Sequence, residues 1–553
     1  MGDRTRRRSR SFIPAALLAV GALLTSSFSA GAAVTRHAAG ATYGGTLHVA
    51  YSGTMVTFDP AQAFNDDWWL MNGTLFTGLY ADDRNGKPQL ALAAEPPVIS
   101  KDLKIWTFKL RKDVRFSNGM KLTADDLAFS ITRTLDPHLK PAVSWGQPTD
   151  LIIQGAQEFV NGKAKSVQGI EVLDPYTIRF TLAQPVSVFP YILAETFNMV
   201  VPKAVVTSES ADYFASHPVG TGPFMLQSWN KGSQIIFARN PYYYIKGRPY
   251  VDKLIVDINE SANLIALKVE RGEIDGSGNG SEMAAPDIQQ AQSDPKYVHY
   301  LFPAPIVWNS WMYLNVHVYP LNNPKIRQAI AMAINRKKLV RLDGGQAIPM
   351  GNLYIPLYPQ NDPALDRHPV YPYDPQQAAA LVKASGYHGQ PISLLYGTDF
   401  GYNVNLAQGV QQDLKQIGLT VSLRPSTVTA IYPINTSLTG HQISLFSWSP
   451  DYPDAYDVYS VEFSCAVNVA GGGSGAHYCD PIADTLANQA DTLPFGAKRD
   501  ALLRQAQVRI LQSAAYVPLV YLKNDAFVSP RVGGFYYHPL YGWEYQNYWV
   551  KSS

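Results

Sequence analysis

Apolar and polar residues alternate at 46–52, 105–110, 177–182, 234–238 and 253–258, each run bounded by Gly, Pro or Asp. Period-two patterning of that length predicts half-buried strands. A different period appears at 324–341, where Ile326, Ile330, Ala333 and Ile334 fall at helical spacing behind Asn323 and Pro324. Asn at the cap and Pro at the first turn predict that a helix starts there. Further helices are predicted from Asp374 and Pro375 to Gly386, over 405–417, and over 498–513. The third ends at Gly418 and runs directly into the strand-like stretch 419–423, a helix-to-strand step of α/β layers. Both kinds of element interleave along the chain, so the pattern predicts an α/β architecture of large lobes, without internal repeats.

Composition narrows what such lobes can do. At 553 residues the chain exceeds one ordinary domain several-fold. Charged residues make up 16% and the net charge is +2, which leaves no general basic surface for nucleic acid or an anionic membrane. Aromatic residues reach 12%, with 33 Tyr and 10 Trp, more flat amphipathic surface than a core requires. Part of it is expected to line a ligand cleft.

The first residues read as an export leader: basic from Arg4 to Arg10, apolar over 12–24, then small residues through Ala33. Ala30 and Ala32 form the A-x-A pattern, so cleavage is expected after Ala32, giving a leader over 1–32. The apolar run is shorter than the ~20 residues of a bilayer span. General export and the twin-arginine route both stay open, the latter because of Arg7 and Arg8. No Cys follows the leader, and a lipid anchor is not expected. The two cysteines, Cys465 and Cys479, flank a glycine-rich stretch. In an exported chain they are expected to form one disulfide, a reactive thiol pair being the alternative.

Catalytic patterns are sparse. The chain lacks G-x-S-x-G, H-E-x-x-H, a Walker loop and a G-x-G-x-x-G that opens a helix. Ser228 and Lys231 match S-x-x-K, but its companion motifs are missing and the segment reads as a turn before a strand. The eleven histidines include no i, i+4 pair on a predicted helix. His477 near Cys479 reads as a loop histidine. Asp451, Asp454 and Asp457 resemble a calcium-loop rhythm without its terminal Glu, so no metal or other cofactor is expected.

Four segments together resemble the extracellular solute-binding proteins of the peptide-importer class, the oligopeptide- and dipeptide-binding proteins. They are 104–126 (KIWTFKLRKDVRFSNGMKLTADD), 218–224 (PVGTGPF) with 238–244 (ARNPYYY), 314–315 with 323–336 (NPKIRQAIAMAINR), and 448–454 (WSPDYPD). Their order and spacing agree with that family over nearly all of the chain past the leader.

The resemblance implies a two-lobed periplasmic binding protein-like fold with a hinge and an additional inserted domain. Domain I would comprise 43–79, 203–307 and 526–553, domain II the insertion 80–202, and domain III residues 308–525. It implies a monomeric, non-enzymatic receptor, periplasmic or extracellular, that captures a short peptide or similar small solute and delivers it to the permease of an ABC importer. Asp451 takes the position of the carboxylate that holds a peptide's α-ammonium, with Trp448 as pocket wall. Phe64, Asn65 and Asp66 match a segment that pairs with an extended ligand, and Trp145, Trp308 and Trp311 are further wall candidates. Trp106, Phe108 and Phe116 are expected in the core, as are Gly220 and Gly222 at a tight turn. Leu445 stands where oligopeptide binders can place an arginine against the ligand's C-terminal carboxylate, so an oligosaccharide or other neutral solute stays open beside a peptide. Delivery to a signalling receptor and an exported hydrolase are the remaining readings.

Overall fold

The computed structural model describes residues 40–62, 66–144, 146–278, 285–304, 308–399 and 401–551. The expected leader, Phe64, Asn65 and Trp145 lie outside them. All described residues belong to one unit spanning His37–Ser553.

Three sheets organise the chain. The first has five strands in the order Gly276–Ser277, Thr46–Ala50, Lys253–Asp257, Gln234–Arg239 and Phe224–Asn230. Thr46–Ala50 runs parallel to Lys253–Asp257, in register from Thr46 opposite Lys253 to Ala50 opposite Asp257. Leu47, Val49, Leu254, Val256, Ile235 and Phe237 are fully buried on one apolar cluster, as strict alternation requires. The second sheet is an antiparallel arrangement of Val98–Ile99, Ile105–Lys109, Thr177–Thr181 and Ile170–Asp174. Its core holds Trp106, Phe108, Phe116, Phe180 and Phe189, and Trp106 meets Phe189 edge-on at 5.6 Å. The third has six strands, with Asn309–Leu314 paired antiparallel to both Ile443–Trp448 and Tyr516–Leu522. Helices Pro324–Ala333 and Gly401–Gln416 cover one of its faces, and Ala497–Gln512 supplies buried residues to the core on the other. Among the described residues no helix is long and apolar enough to cross a membrane.

Two connections position these sheets. Between the first and third, the chain crosses twice as a two-stranded antiparallel ribbon, Leu301–Ala304 with Asn524–Phe527. Between the first and second, the Asp59 carboxylate accepts both terminal nitrogens of Arg133, one at 2.6 Å, with both side chains buried. Gly220 and Gly222 sit where two backbones nearly touch. A Cβ on Gly220 would stand 2.1 Å from the Leu75 carbonyl oxygen, and one on Gly222 2.4 Å from the Leu75 carbonyl carbon.

Two sequence expectations need correction. The helix predicted over 324–341 is two helices, Pro324–Ala333 and Arg336–Leu342. Ile334 turns to ψ 114 and Asn335 caps the second helix, its side chain accepting the Lys338 N–H at 3.0 Å. The buried Asp413 of the facing helix fixes the break by accepting the Asn335 N–H at 3.0 Å and the Lys338 ammonium at 2.6 Å. Ser228, read as part of a turn, lies inside strand Phe224–Asn230, and the turn follows it. The residue is exposed on the edge strand of the first sheet.

Candidate functional site

Strand Ile443–Trp448 lies at the centre of the third sheet. Its alternation sends Ile443 and Leu445 into one core with Met312, and Phe446 and Trp448 toward the other with Trp311 and Tyr313. Leu445, only 5% exposed, is therefore a core side chain. Past Trp448 the chain leaves the sheet, carries Asp451, and enters the short helix Ala455–Val458 capped by Asp454.

Each of the three spaced aspartates has its own task. Asp454 accepts the Tyr456 N–H at 2.9 Å as helix cap and binds Arg499 through both guanidinium nitrogens at 2.7 Å. The Asp457 carboxylate accepts the Asp451 N–H at 3.0 Å and so fixes the loop that displays Asp451. Asp451 itself is half-buried. Among the described residues no cluster of His, Cys, Asp and Glu is arranged to hold a metal ion. The rhythm of aspartates is a loop brace.

This loop packs against the second sheet's domain. Tyr452 is buried in that core and stacks on Tyr191 at 5.7 Å between centroids. Ser187 donates its N–H to the Asp491 carbonyl at 3.1 Å, and its hydroxyl accepts Arg499 Nε at 3.0 Å. Glu195, from the buried stretch after helix Phe189–Ile192, lies within electrostatic reach of Asp451, Asp150 and Asp457. Glu195 is 5% exposed. One of its oxygens accepts the Thr149 hydroxyl at 3.0 Å, and the other, Oε1, is buried with no hydrogen-bond partner among the described residues. Burial, then the charges of Asp451 and Asp150, push the Glu195 carboxyl well above the usual carboxylate range. Burial and then Asp451 do the same to Asp457.

Further buried carboxyls share that fate. Burial raises Asp82, Asp150 and Asp491 to about 7, and Glu462 to about 8. A carboxyl whose folded pKa stands above its unfolded value holds its proton after the unfolded chain has lost it. Its stabilisation is complete below the unfolded pKa and disappears as pH rises through the folded one. Buried His441 and His538, lowered to about 4, act in the opposite sense, but only below the unfolded histidine value of about 6.5. The melting temperature of the empty protein is therefore expected to rise by several degrees from pH 8 to pH 6.5, and to go on rising less steeply below, where the two histidines offset part of the carboxyls' gain. Calorimetry across that range checks it; a fall between pH 8 and 6.5 would contradict the burial of these groups.

Other candidates separate. Trp308 is half-buried beside the third sheet's core, where its carbonyl accepts the Leu522 N–H at 2.9 Å. Trp311, expected as a pocket wall, is 1% exposed inside the opposite core, with Phe446 and Phe463 rings each 5.8 Å away. Strand alternation puts it there. Asp66 opens helix Asp66–Leu75. Cys465 and Cys479 form the expected disulfide. Sequence reasoning missed Glu195 and Arg499, and noted Asp457 only as one of three regularly spaced aspartates. Only Glu195 left a signal, as a lone carboxylate in the apolar stretch 186–201.

Comparison with known proteins identifies the family and the fold. The family model described as "Bacterial extracellular solute-binding proteins, family 5 Middle" matches residues 87–469. Di/tripeptide-binding protein 2 of Pseudomonas aeruginosa is 27% identical over 512 residues, covering 90% of this chain and 93% of that protein. The periplasmic binding protein DppA of Helicobacter pylori, solved with the peptide STSA, superposes with a TM-score of 0.75 at 25% identity, covering 92% of this chain and 99% of that one. Clavulanic acid biosynthesis oligopeptide binding protein 2 reaches a TM-score of 0.84 at 20% identity, covering 92% and 96%. The fold is the two-lobed α/β fold of periplasmic binding proteins, and the chain belongs to the bacterial extracellular solute-binding proteins, family 5.

Proposed function

We propose that this protein is the exported receptor of an ABC importer, released into the periplasm or extracellular space after cleavage near Ala32, and that it captures short peptides without altering them. The observation that carries this reading is the half-buried Asp451, braced by Asp457 at the junction of two domains. A carboxylate held in such partly dehydrated surroundings forms a short, strong pair with an α-ammonium group. The names of relatives, among them di/tripeptide-binding and glutathione-binding proteins, support a peptide ligand. So does the bound tetrapeptide of the H. pylori structure.

In this reading residues 43–79, 203–307 and 526–553 form one lobe, 80–202 an insertion in it, and 308–525 the second lobe. The ribbon Leu301–Ala304 with Asn524–Phe527 is the hinge, because two short strands are the whole covalent connection. Ligand stabilises the closed state by touching both lobes, and the permease reads that state. Trp448 and Trp308 contribute cleft surface.

Titration calorimetry with a tripeptide and its N-acetylated form tests the proposal. The free peptide is expected to bind at least tenfold more tightly. Equal binding removes the ammonium anchor, and heat from oligosaccharides with none from peptides replaces the ligand class.

A further inference from the structure

We propose that Ser187 anchors a latch between the two lobes, a direct protein contact that adds its own free energy to closure and so tunes the affinity for every ligand without touching any. The inference rests on the two-lobe reading above, not on the chemistry of the ligand.

Ser187 lies in the second sheet's domain, between strand Thr177–Thr181 and helix Phe189–Ile192. Three hydrogen bonds run from it to the third sheet's domain. Its backbone N–H donates to the Asp491 carbonyl at 3.1 Å, its hydroxyl donates to Asp491 Oδ1 at 3.3 Å, and the same hydroxyl accepts Arg499 Nε at 3.0 Å. All three residues are buried. The terminal nitrogens of Arg499 are bound to Asp454, so the Ser187 hydroxyl meets the remaining side of a buried guanidinium. That bond is charge-assisted, and a buried charged donor left without its acceptor is costly. When the lobes part, Arg499 Nε and the Asp491 carboxyl must exchange the hydroxyl for water.

Aromatic rings close the same seam. Tyr452 enters the core of the second sheet's domain and stacks on Tyr191, and Phe495, just before helix Ala497–Gln512, meets Tyr191 edge-on at 5.7 Å. The Arg499 guanidinium lies 5.0 Å from the centre of the Phe495 ring, which joins the polar and aromatic halves of the latch in one cluster. The apparent affinity of a ligand that needs the closed form is its intrinsic affinity multiplied by the closed fraction. A latch outside the groove therefore acts alike on good and poor ligands, and Ser187 is a positioning residue.

Small-angle X-ray scattering of the peptide-free protein, with titration calorimetry of Ala-Ala-Ala and Ala-Leu-Ala, tests this in wild type, Ser187→Ala and Phe495→Ala. Phe495 is 48% exposed, so its variant decides the matter where Ser187→Ala does not fold. The radius of gyration of the peptide-free protein is expected to increase in both variants. Affinity for both tripeptides is expected to fall by the same factor, about fivefold or more. A tripeptide that compacts the protein while the variants scatter and bind like wild type overturns the latch. Unequal weakening of the two tripeptides overturns it too, since the residues would then touch ligand. Scattering that never changes, with either tripeptide or either variant, removes two-lobe closure itself. If neither tripeptide binds wild type, the peptide reading fails, and the scattering of the peptide-free variants still decides the latch.

Discussion

Replacing Arg499 with methionine is expected to destabilise the folded protein by about 3–5 kcal/mol, the cost of stranding a buried carboxylate without its partner. Arg499 and Asp454 are 0% and 1% exposed, and the guanidinium grips the carboxylate through two bonds of 2.7 Å. Without Arg499, Asp454 keeps the Gln360 side-chain amide at 3.0 Å and the Tyr456 N–H at 2.9 Å, two neutral donors that compensate too little of a full charge. Burial gives both partners a high desolvation cost, so the pair is worth less than either single loss suggests. The double variant Arg499→Met with Asp454→Asn is therefore expected to recover much of the loss, the Asn still capping the helix. Urea denaturation followed by tryptophan fluorescence measures all three proteins. A single-variant loss below about 1 kcal/mol would mean that water reaches Asp454.

The second large effect concerns the ligand. Asp451→Asn keeps the size of the side chain and removes its charge, and is expected to weaken binding of a free-amino tripeptide by about 2–4 kcal/mol, or roughly thirty- to a thousand-fold. An N-acetylated peptide should lose little, because it presents no ammonium to the missing charge. Thermal unfolding of the variant is expected to stay close to wild type, since the brace of the loop runs from the backbone N–H of residue 451 to Asp457, which Asn keeps. Calorimetric titration of both peptides into both proteins separates the anchor from a general loosening of the loop. Parallel losses for the two peptides would assign Asp451 a structural role.

What could be read from the chain was what depends on neighbours in sequence. Strands 46–52, 105–110 and 253–258 showed their period because one face of each is buried, and the structure keeps them within a residue or two at the ends. Helix starts at Asn323 and Asp374 were legible because caps act locally. The break at Ile334 was not, because it depends on Asp413 reaching in from another helix. Apolar spacing continued across the break and hid it. Family-like segments pointed to Asp451, yet the acidic surroundings that give it meaning come from Glu195, far away in sequence. No spacing rule links those positions. The same holds for Arg499, whose partner Asp454 showed in the sequence only as one of three regularly spaced aspartates. Trp311 misled in the opposite direction, since a tryptophan near a lobe boundary suits either a wall or a core, and only its strand face decides.

The register of the first sheet also sets a timetable. Thr46–Ala50 finds both its neighbours, Lys253–Asp257 and Gly276–Ser277, only after more than two hundred further residues have been made. The bridge from Gly276 to Val528 waits almost until the end of synthesis. Pairings so distant along the chain form slowly, because a long loop must close before any contact offsets its entropy. A nascent chain built this way carries its earliest strand unpaired through almost half of synthesis, and that strand is among the last to be locked into place.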